Sequence, residues 1–247
     1  PSLAEYLGVK HVLPCANATD ALQIALMALG IEEDDEVITV PFTFVATVEV
    51  VALMKMKPIF VDVEPDTFNL DVSQLEAKIT PRTKAIIPVH LFGQCANMEA
   101  IMEVARKHNV PVIEDAAQAV GADYIFKNGQ TQKAGTIAEI GTTSFYPTKN
   151  LGAYGDGGAL FTNDDGLAEK IHIITNHGSS RKYYYDSIGV NSRLDSMQAV
   201  VLEEKLKNLD AYNEARQSAA AFYDKSFANH PNLTIPARAA CSNHVFH

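Results

Sequence analysis

Three short stretches of this sequence collect residue types capable of chemistry. Ser144-Phe-Tyr-Pro-Thr-Lys149-Asn-Leu-Gly-Ala-Tyr-Gly-Asp-Gly-Gly158 carries a strand through a proline to a lysine and then into glycine-rich chain. A lysine held in a pocket loses its proton more readily than one in water, and its amine can attack an aldehyde carbon to give an imine. A solvated loop lysine followed by turn glycines has the same letters. Val112-Ile-Glu-Asp115-Ala-Ala-Gln118 ends an apolar strand in two acids. A carboxylate aimed from a strand end into a pocket can hold an aromatic ring nitrogen protonated and make the ring an electron sink, with Gln118 one turn on to reach a ring hydroxyl. Helix capping by Asp115 accounts for the pattern equally well. Cys15-Ala-Asn17-Ala18-Thr19-Asp-Ala-Leu22 passes from a strand end into a helix. Its free N–H groups and the Thr19 hydroxyl could cradle a phosphate; alternatively, Asn17 or Thr19 caps its own helix.

The elements that must position these residues alternate. Apolar runs rich in β-branched residues at Val37–Val40, Ile59–Val63, Ala85–Val89, Val112–Glu114, Thr142–Tyr146 and Ala159–Thr162 predict strands. Between them Asp20–Leu29, Val45–Met54, Ser73–Ile79, Met98–His108 and Gly166–Ile174 repeat apolar residues at helical spacing. Ala85-Ile-Ile-Pro-Val89 is apolar on both faces, as in a parallel sheet covered on each side. The expected fold class is therefore α/β: a three-layer α/β/α domain with a mostly parallel central sheet, over residues 1–190. From Arg193 the pattern predicts one long helix to about Phe227, capped by Asn191 or Ser192, so that 191–229 links to a small C-terminal domain beginning at 230–247. Neither end reads as complete, and the chain is expected to be part of a longer one.

The 247 residues are 47% hydrophobic, enough for a large core, and carry 20 basic against 30 acidic residues, a net charge of −10 with no basic cluster. That balance disfavours nucleic acid as a partner. Cys15, Cys95 and Cys241 are too few and too scattered for a disulfide framework, and a reducing cytoplasm is expected. No leader-like segment or apolar run of membrane-spanning length is present in the sequence, and no membrane partner is expected. His244 and His247, three apart with no third ligand nearby, make weak evidence for a metal; packing or contact with a sugar hydroxyl is the expectation. His90, at a strand end, reads as a buried hydrogen-bonded histidine.

Taken together, the motifs resemble the nucleotide-sugar aminotransferases of the fold-type I pyridoxal-phosphate class. Four blocks match in order along nearly the whole chain: Ala16-Asn-Ala-Thr-Asp-Ala-Leu22, Glu114-Asp-Ala-Ala-Gln118, Ser144-Phe-Tyr-Pro-Thr-Lys-Asn-Leu-Gly152 and Gly189-Val-Asn-Ser-Arg-Leu-Asp195. The resemblance implies that pyridoxal 5'-phosphate is the cofactor, that Lys149 bonds to it and acts as the base, and that Asp115 pairs with its ring nitrogen. It further implies that Gln118 and Ser144 line the ring and phosphate, that Asn17, Ala18 and Thr19 form the phosphate site, and that Phe44 stacks on the ring. Asn191 matches a residue that reaches the phosphate of the neighbouring subunit's cofactor, which implies a homodimer with shared sites. One departure is Ala18, where a glycine is commoner and where the extra methyl crowds the phosphate loop.

Cys15 to Leu26, Pro88-Val-His-Leu-Phe-Gly-Gln-Cys-Ala96 and His244-Val-Phe-His247 are similar to the branch that aminates UDP-2-acetamido-2-deoxy-3-oxo-glucuronate for bacterial surface polysaccharide, with glutamate as donor. A uronate needs a cation, and Arg193 is the candidate, although a first-turn helix residue pairing with Asp195 or solvent fits as well. Other keto-sugar nucleotides, and a catalytically silent regulatory or binding protein of the same fold, remain alternatives. Related sugar dehydratases replace the lysine with histidine, which Lys149 opposes. A nicotinamide-binding domain is opposed by glycines at 152–158 that lack the Gly-x-Gly-x-x-Gly spacing.

Overall fold

A computed structural model describes residues 2–247. In chain order its helices are α1 Ser2–Leu7, α2 Ala18–Ala28, α3 Ala46–Leu53, α4 Val72–Leu75, α5 Met98–His108, α6 Asp165–Thr175, α7 Ser196–Leu206 and α8 Leu209–Phe227. The strands are β1 His11–Cys15, β2 Glu36–Thr39, β3 Lys57–Phe60, β4 Thr83–Ile87, β5 Ile113–Asp115, β6 Asp123–Ile125, β7 Thr131–Lys133, β8 Ile140–Ser144, β9 Gly158–Thr162, β10 Ser179–Arg181, β11 Tyr184–Tyr185 and β12 Ser242–Asn243.

Strand β2 pairs in parallel with β3 and β4, and β5 pairs in parallel with β8. Parallel bridges Ile86–Val112 and Val89–Asp115 join the two halves into one sheet, ordered β3-β2-β4-β5-β8-β9-β1. Only β9 runs against its neighbours, antiparallel to both β8 and β1. Consecutive residues of the buried strands face opposite layers, as period-two geometry requires. Val37, Ala85 and Ile87 pack under α2, α3 and α6, while Ile38 and Ile86 pack under α4 and α5. A third apolar cluster joins Leu7 of α1, Phe145, Phe161, Leu202 of α7 and Leu209 of α8. The result is the expected three-layer α/β/α arrangement with a mostly parallel sheet.

Two of the differences from the sequence-based expectation have a clear packing cause. Strand β3 begins at Lys57, before the apolar run, because it is the outermost strand and tolerates Pro58, whose missing N–H faces no neighbour. The single long helix is two: α7 starts at Ser196, with Asp195 rather than Asn191 or Ser192 at its cap position, and the chain turns at Lys207 and Asn208 before α8. Leu202 and Leu209, on either side of that turn, both enter the third cluster, so the break serves burial on two helices. After α8 the chain returns to the main body: β12 pairs with β6, and the N–H groups of Val245 and His247 donate to Gly93 and Phe92 carbonyls. No helix among the described residues is long and apolar enough to cross a membrane.

Candidate active site

The carboxyl ends of β5 and β8, the start of β9 and the amino end of α2 surround one cavity of about 780 Å³. Its walls include Asn17, Ala18, Thr19, Phe44, Asp115, Gln118, Ser144, Lys149 and His247. Nine of the expected site residues thus meet in one place, on one side of the sheet.

The amino end of α2 approaches closely because of Gly158. A Cβ there would fall 2.6 Å from the Asn17 carbonyl carbon and 2.9 Å from the Ala18 nitrogen. Asn17 caps the helix, accepting from the Asp20 N–H at 2.8 Å, as the capping alternative foresaw. The N–H groups of Ala18 and Thr19 precede the first intrahelical bond and are left to bind an anion.

Asp115 is buried, and both carboxylate oxygens are held. Thr47 donates to Oδ2 at 2.8 Å and the Ala117 N–H donates to Oδ1 at 3.1 Å. Burial pushes its proton affinity up, opposed by those two hydrogen bonds and by the charge of Lys149. Burial pushes Lys149 the other way, below the ordinary lysine range, with the Asp115 charge partly restoring it. Lys149 Nζ lies 3.5 Å from His247 Nε2. Although part of the His247 ring is open to solvent, desolvation and the positive charges of Lys149 and Arg216 push it down to about 4, so the ring is neutral where Lys149 approaches it.

Gln118 accepts from the Phe92 N–H through Oε1 at 2.6 Å, so its NH₂ group is free to donate into the cavity. Ser144 Oγ accepts from the Tyr146 N–H at 3.2 Å. Phe44 is 68% exposed on the rim. Beneath Asp115, Glu114 is wholly buried and accepts from His90 Nε2 and from the N–H groups of Gly135, Ile137 and Ala138. The Ala96 N–H donates to His90 Nδ1, which fixes the tautomer, and the expected buried, hydrogen-bonded histidine is observed. Cys15 and Cys95 are buried, with thiols pushed up to about 12 by desolvation.

Asn191 and Arg193 do not line this cavity. Asn191 is exposed and bridges Asn176, and Arg193 is exposed with no ion pair among the described residues. Between them Ser192 is fully buried; its hydroxyl accepts from the Ala16 N–H at 2.9 Å and donates to Asp20 at 2.6 Å, pinning this segment to the start of α2. Thr47 carries no spacing signal in an apolar helix, and Ser192, expected only as a possible helix cap, instead ties its segment to α2.

The family model described as "DegT/DnrJ/EryC1/StrS aminotransferase family" matches residues 1–247. The chain belongs to this aminotransferase family. Among its relatives, the UDP-2-acetamido-2-deoxy-3-oxo-D-glucuronate aminotransferase of Pseudomonas aeruginosa is 53% identical over 224 residues, 91% of this chain and 61% of the relative. A pleiotropic regulatory protein of Geobacillus stearothermophilus is 50% identical, over 99% of this chain and 65% of that one. The crystal structure of DesV from S. venezuelae, in complex with a ketimine intermediate, superposes with a TM-score of 0.94 at 41% identity, covering 100% of this chain and 65% of that one. The chain therefore spans a little under two thirds of the length of these relatives.

Proposed function

We propose that this chain is the larger part of a pyridoxal-phosphate-dependent aminotransferase that places an amino group on a keto-sugar carried by a nucleotide. The observation that carries this reading is the meeting of Lys149 and Asp115 in one cavity with the open amino end of α2. The cavity's donor set fits the cofactor. Lys149 would bond to the aldehyde, Asp115 would face the ring nitrogen, Gln118 would donate to the ring hydroxyl, and Ala18, Thr19 and Ser144 would hold the phosphate.

The cofactor supplies an electron-withdrawing ring that stabilises negative charge on a substrate carbon. The protein's own groups do the rest. Lys149 Nζ, its proton loosened by burial, takes a proton from the α-carbon of the amino donor and returns one to the sugar carbon that receives nitrogen. Asp115, fixed by its two hydrogen bonds, would face the ring nitrogen and hold the opposing positive charge. The neutral His247 ring shares a hydrogen bond with Lys149 through Nε2 and orients the amine.

UDP-2-acetamido-2-deoxy-3-oxo-glucuronate is the substrate we favour, with glutamate as donor, and the Pseudomonas aeruginosa relative supports it. Asn191 and Arg193, outside this chain's own cavity, are proposed to reach the site of a second copy in a homodimer. The exposed apolar side chains Phe44 on the cavity rim, its neighbour Val45, and Leu53 at the other end of α3 support such an interface. The absence of a membrane-spanning helix among the described residues is compatible with action in the cytoplasm. A regulatory protein without turnover is the second reading, favoured by the Geobacillus stearothermophilus relative.

Borohydride reduction of the protein incubated with pyridoxal phosphate, followed by peptide mass mapping, tests the cofactor site; label on any lysine other than Lys149 overturns it. Turnover on a panel of UDP-linked keto-sugars separates enzyme from regulator. Arg193→Ala is expected to lose the uronate far more than its uncharged analogue, and equal losses remove Arg193 from substrate binding.

A further inference from the structure

Thr47 sits in the first turn of α3, only 1% exposed, among the residues that line the cavity. Its hydroxyl oxygen has three oxygen neighbours: Asp115 Oδ2 at 2.8 Å, Thr43 Oγ1 at 3.0 Å and the Phe44 carbonyl at 3.3 Å. A hydroxyl has one proton to give. The shortest contact is to the one charged acceptor, where a hydrogen bond is strongest, so the proton goes to Asp115. The Thr43 hydroxyl then donates to the lone pairs of Thr47, and a directed chain runs from Thr43 through Thr47 to Asp115. With the Ala117 N–H on Oδ1, the carboxylate is clamped from two separate segments and cannot turn about its own axis.

We propose that Thr47 is a positioning residue, which fixes Asp115 Oδ2 through this chain and ties the carboxylate to the loop that carries Phe44. The inference rests on the reading that Asp115 faces the ring nitrogen of the cofactor. The competing role is local: a threonine in a helix commonly bonds back to the carbonyl three residues earlier, here Phe44, and stabilises only the turn. The 2.8 Å bond to Asp115, against 3.3 Å to Phe44, favours the first. Because Thr43 and Thr47 bracket Phe44, a single chain of hydroxyls aligns the aromatic rim with the acid.

Pyridoxamine phosphate, which makes no covalent bond to Lys149, is the probe. Its dissociation constant and the pH titration of its ring nitrogen, followed by ¹⁵N resonance with labelled cofactor, are measured on wild type, T47V, T47A and T47S. Loss of one hydrogen bond to a charged group predicts about tenfold weaker binding in T47V and T47A. The ring nitrogen in both is expected to lose its proton at lower pH than in wild type. T47S, which keeps the hydroxyl, restores both values. Wild-type binding and titration in T47V overturn the proposal, as does lowered thermal stability with an unmoved ring-nitrogen titration. If T47V fails to fold, T47A decides in the same way, since its lost methyl opens onto the cavity. Wild-type protein that neither binds the probe nor takes borohydride label at Lys149 sinks the underlying cofactor reading instead.

Discussion

Asn150, next to Lys149, donates its side-chain amide to Asn213 of α8 across 2.7 Å, and both residues are buried. The same amide donates to the Val245 carbonyl at 3.2 Å, two residues before His247. One side chain thus joins the lysine loop, the long helix and the returning tail.

Asn213→Ala should therefore destabilise the protein. It removes the acceptor and leaves a buried donor short of a partner, at a cost of about 1–3 kcal/mol. Urea unfolding should show a lower midpoint at unchanged slope; an unchanged midpoint means that the pair adds nothing.

Gly158→Ala is expected to displace the amino end of α2, since its Cβ would meet backbone that cannot swing aside. About 1–3 kcal/mol of stability should be lost through overpacking, together with affinity for the cofactor's phosphate. Gly155→Ala is the control, because its Cβ would meet only the flexible end of Gln198 at 3.1 Å. Equal behaviour of the two variants would refute the close-approach argument.

Glu114→Gln replaces an acceptor of three backbone N–H groups and one histidine proton with a group whose NH₂ end must face donors. Leaving buried donors unmatched around this site should cost roughly 2–4 kcal/mol. The check is the chemical-denaturation free energy, with Glu76→Gln on the surface as reference.

Lys149 should react as an amine at lower pH than ordinary lysine, about 10.4, because burial disfavours its charged form. Asp115→Asn removes the charge that partly restores that proton, so the midpoint should move further down. Reductive methylation with formaldehyde, followed at the Lys149 peptide across pH, reads this without the cofactor. A midpoint that rises in Asp115→Asn would contradict the coupling.

Acid should weaken the fold in a particular window. Burial and the Arg238 charge push His244 down to about 4, and His247 lies at about the same value for the reasons given above. Unfolded histidine titrates near pH 6.5, so between about pH 6.5 and 4 the unfolded chain binds more protons and stability falls as pH falls. The variant H244N/H247N should flatten the unfolding midpoint across that window and leave its slope below pH 4 intact.

The parts of this protein that were legible in sequence are those with a repeating or clustered signal. Helix α5 matches its expected bounds, Met98–His108, because an amphipathic repeat lies between an Asn97 cap and a left-handed Asn109. Lys149, Asp115, Gln118 and Thr19 could be read because each sits where a strand gives way to polar or glycine-rich chain. Thr47 could not, since what matters there is a contact 68 positions away. The break between α7 and α8 was hidden for a related reason: Lys207 and Asn208 are unremarkable in a helix, and the turn serves the burial of Leu202 and Leu209 in one cluster formed by distant residues. The short strands β6, β7 and β12 lacked enough alternating residues to register, and β12 exists only because β6 offers it an edge.

Strand β9, reversed between two neighbours, bears on how the site can change. Ser144 and Cys15 both sit opposite Gly158, so the chain leaves β8 and re-enters the sheet at one point. A parallel successor would oblige the intervening chain to travel the length of the sheet before starting again. Here it has no distance to cover, and Lys149 rides on an excursion moored at both ends to adjoining rungs. Residues added or removed beyond Gly152 would enlarge or trim the rim while the lysine stayed where Asn150 anchors it, which leaves the molecule room to reshape its mouth without disturbing its reactive centre.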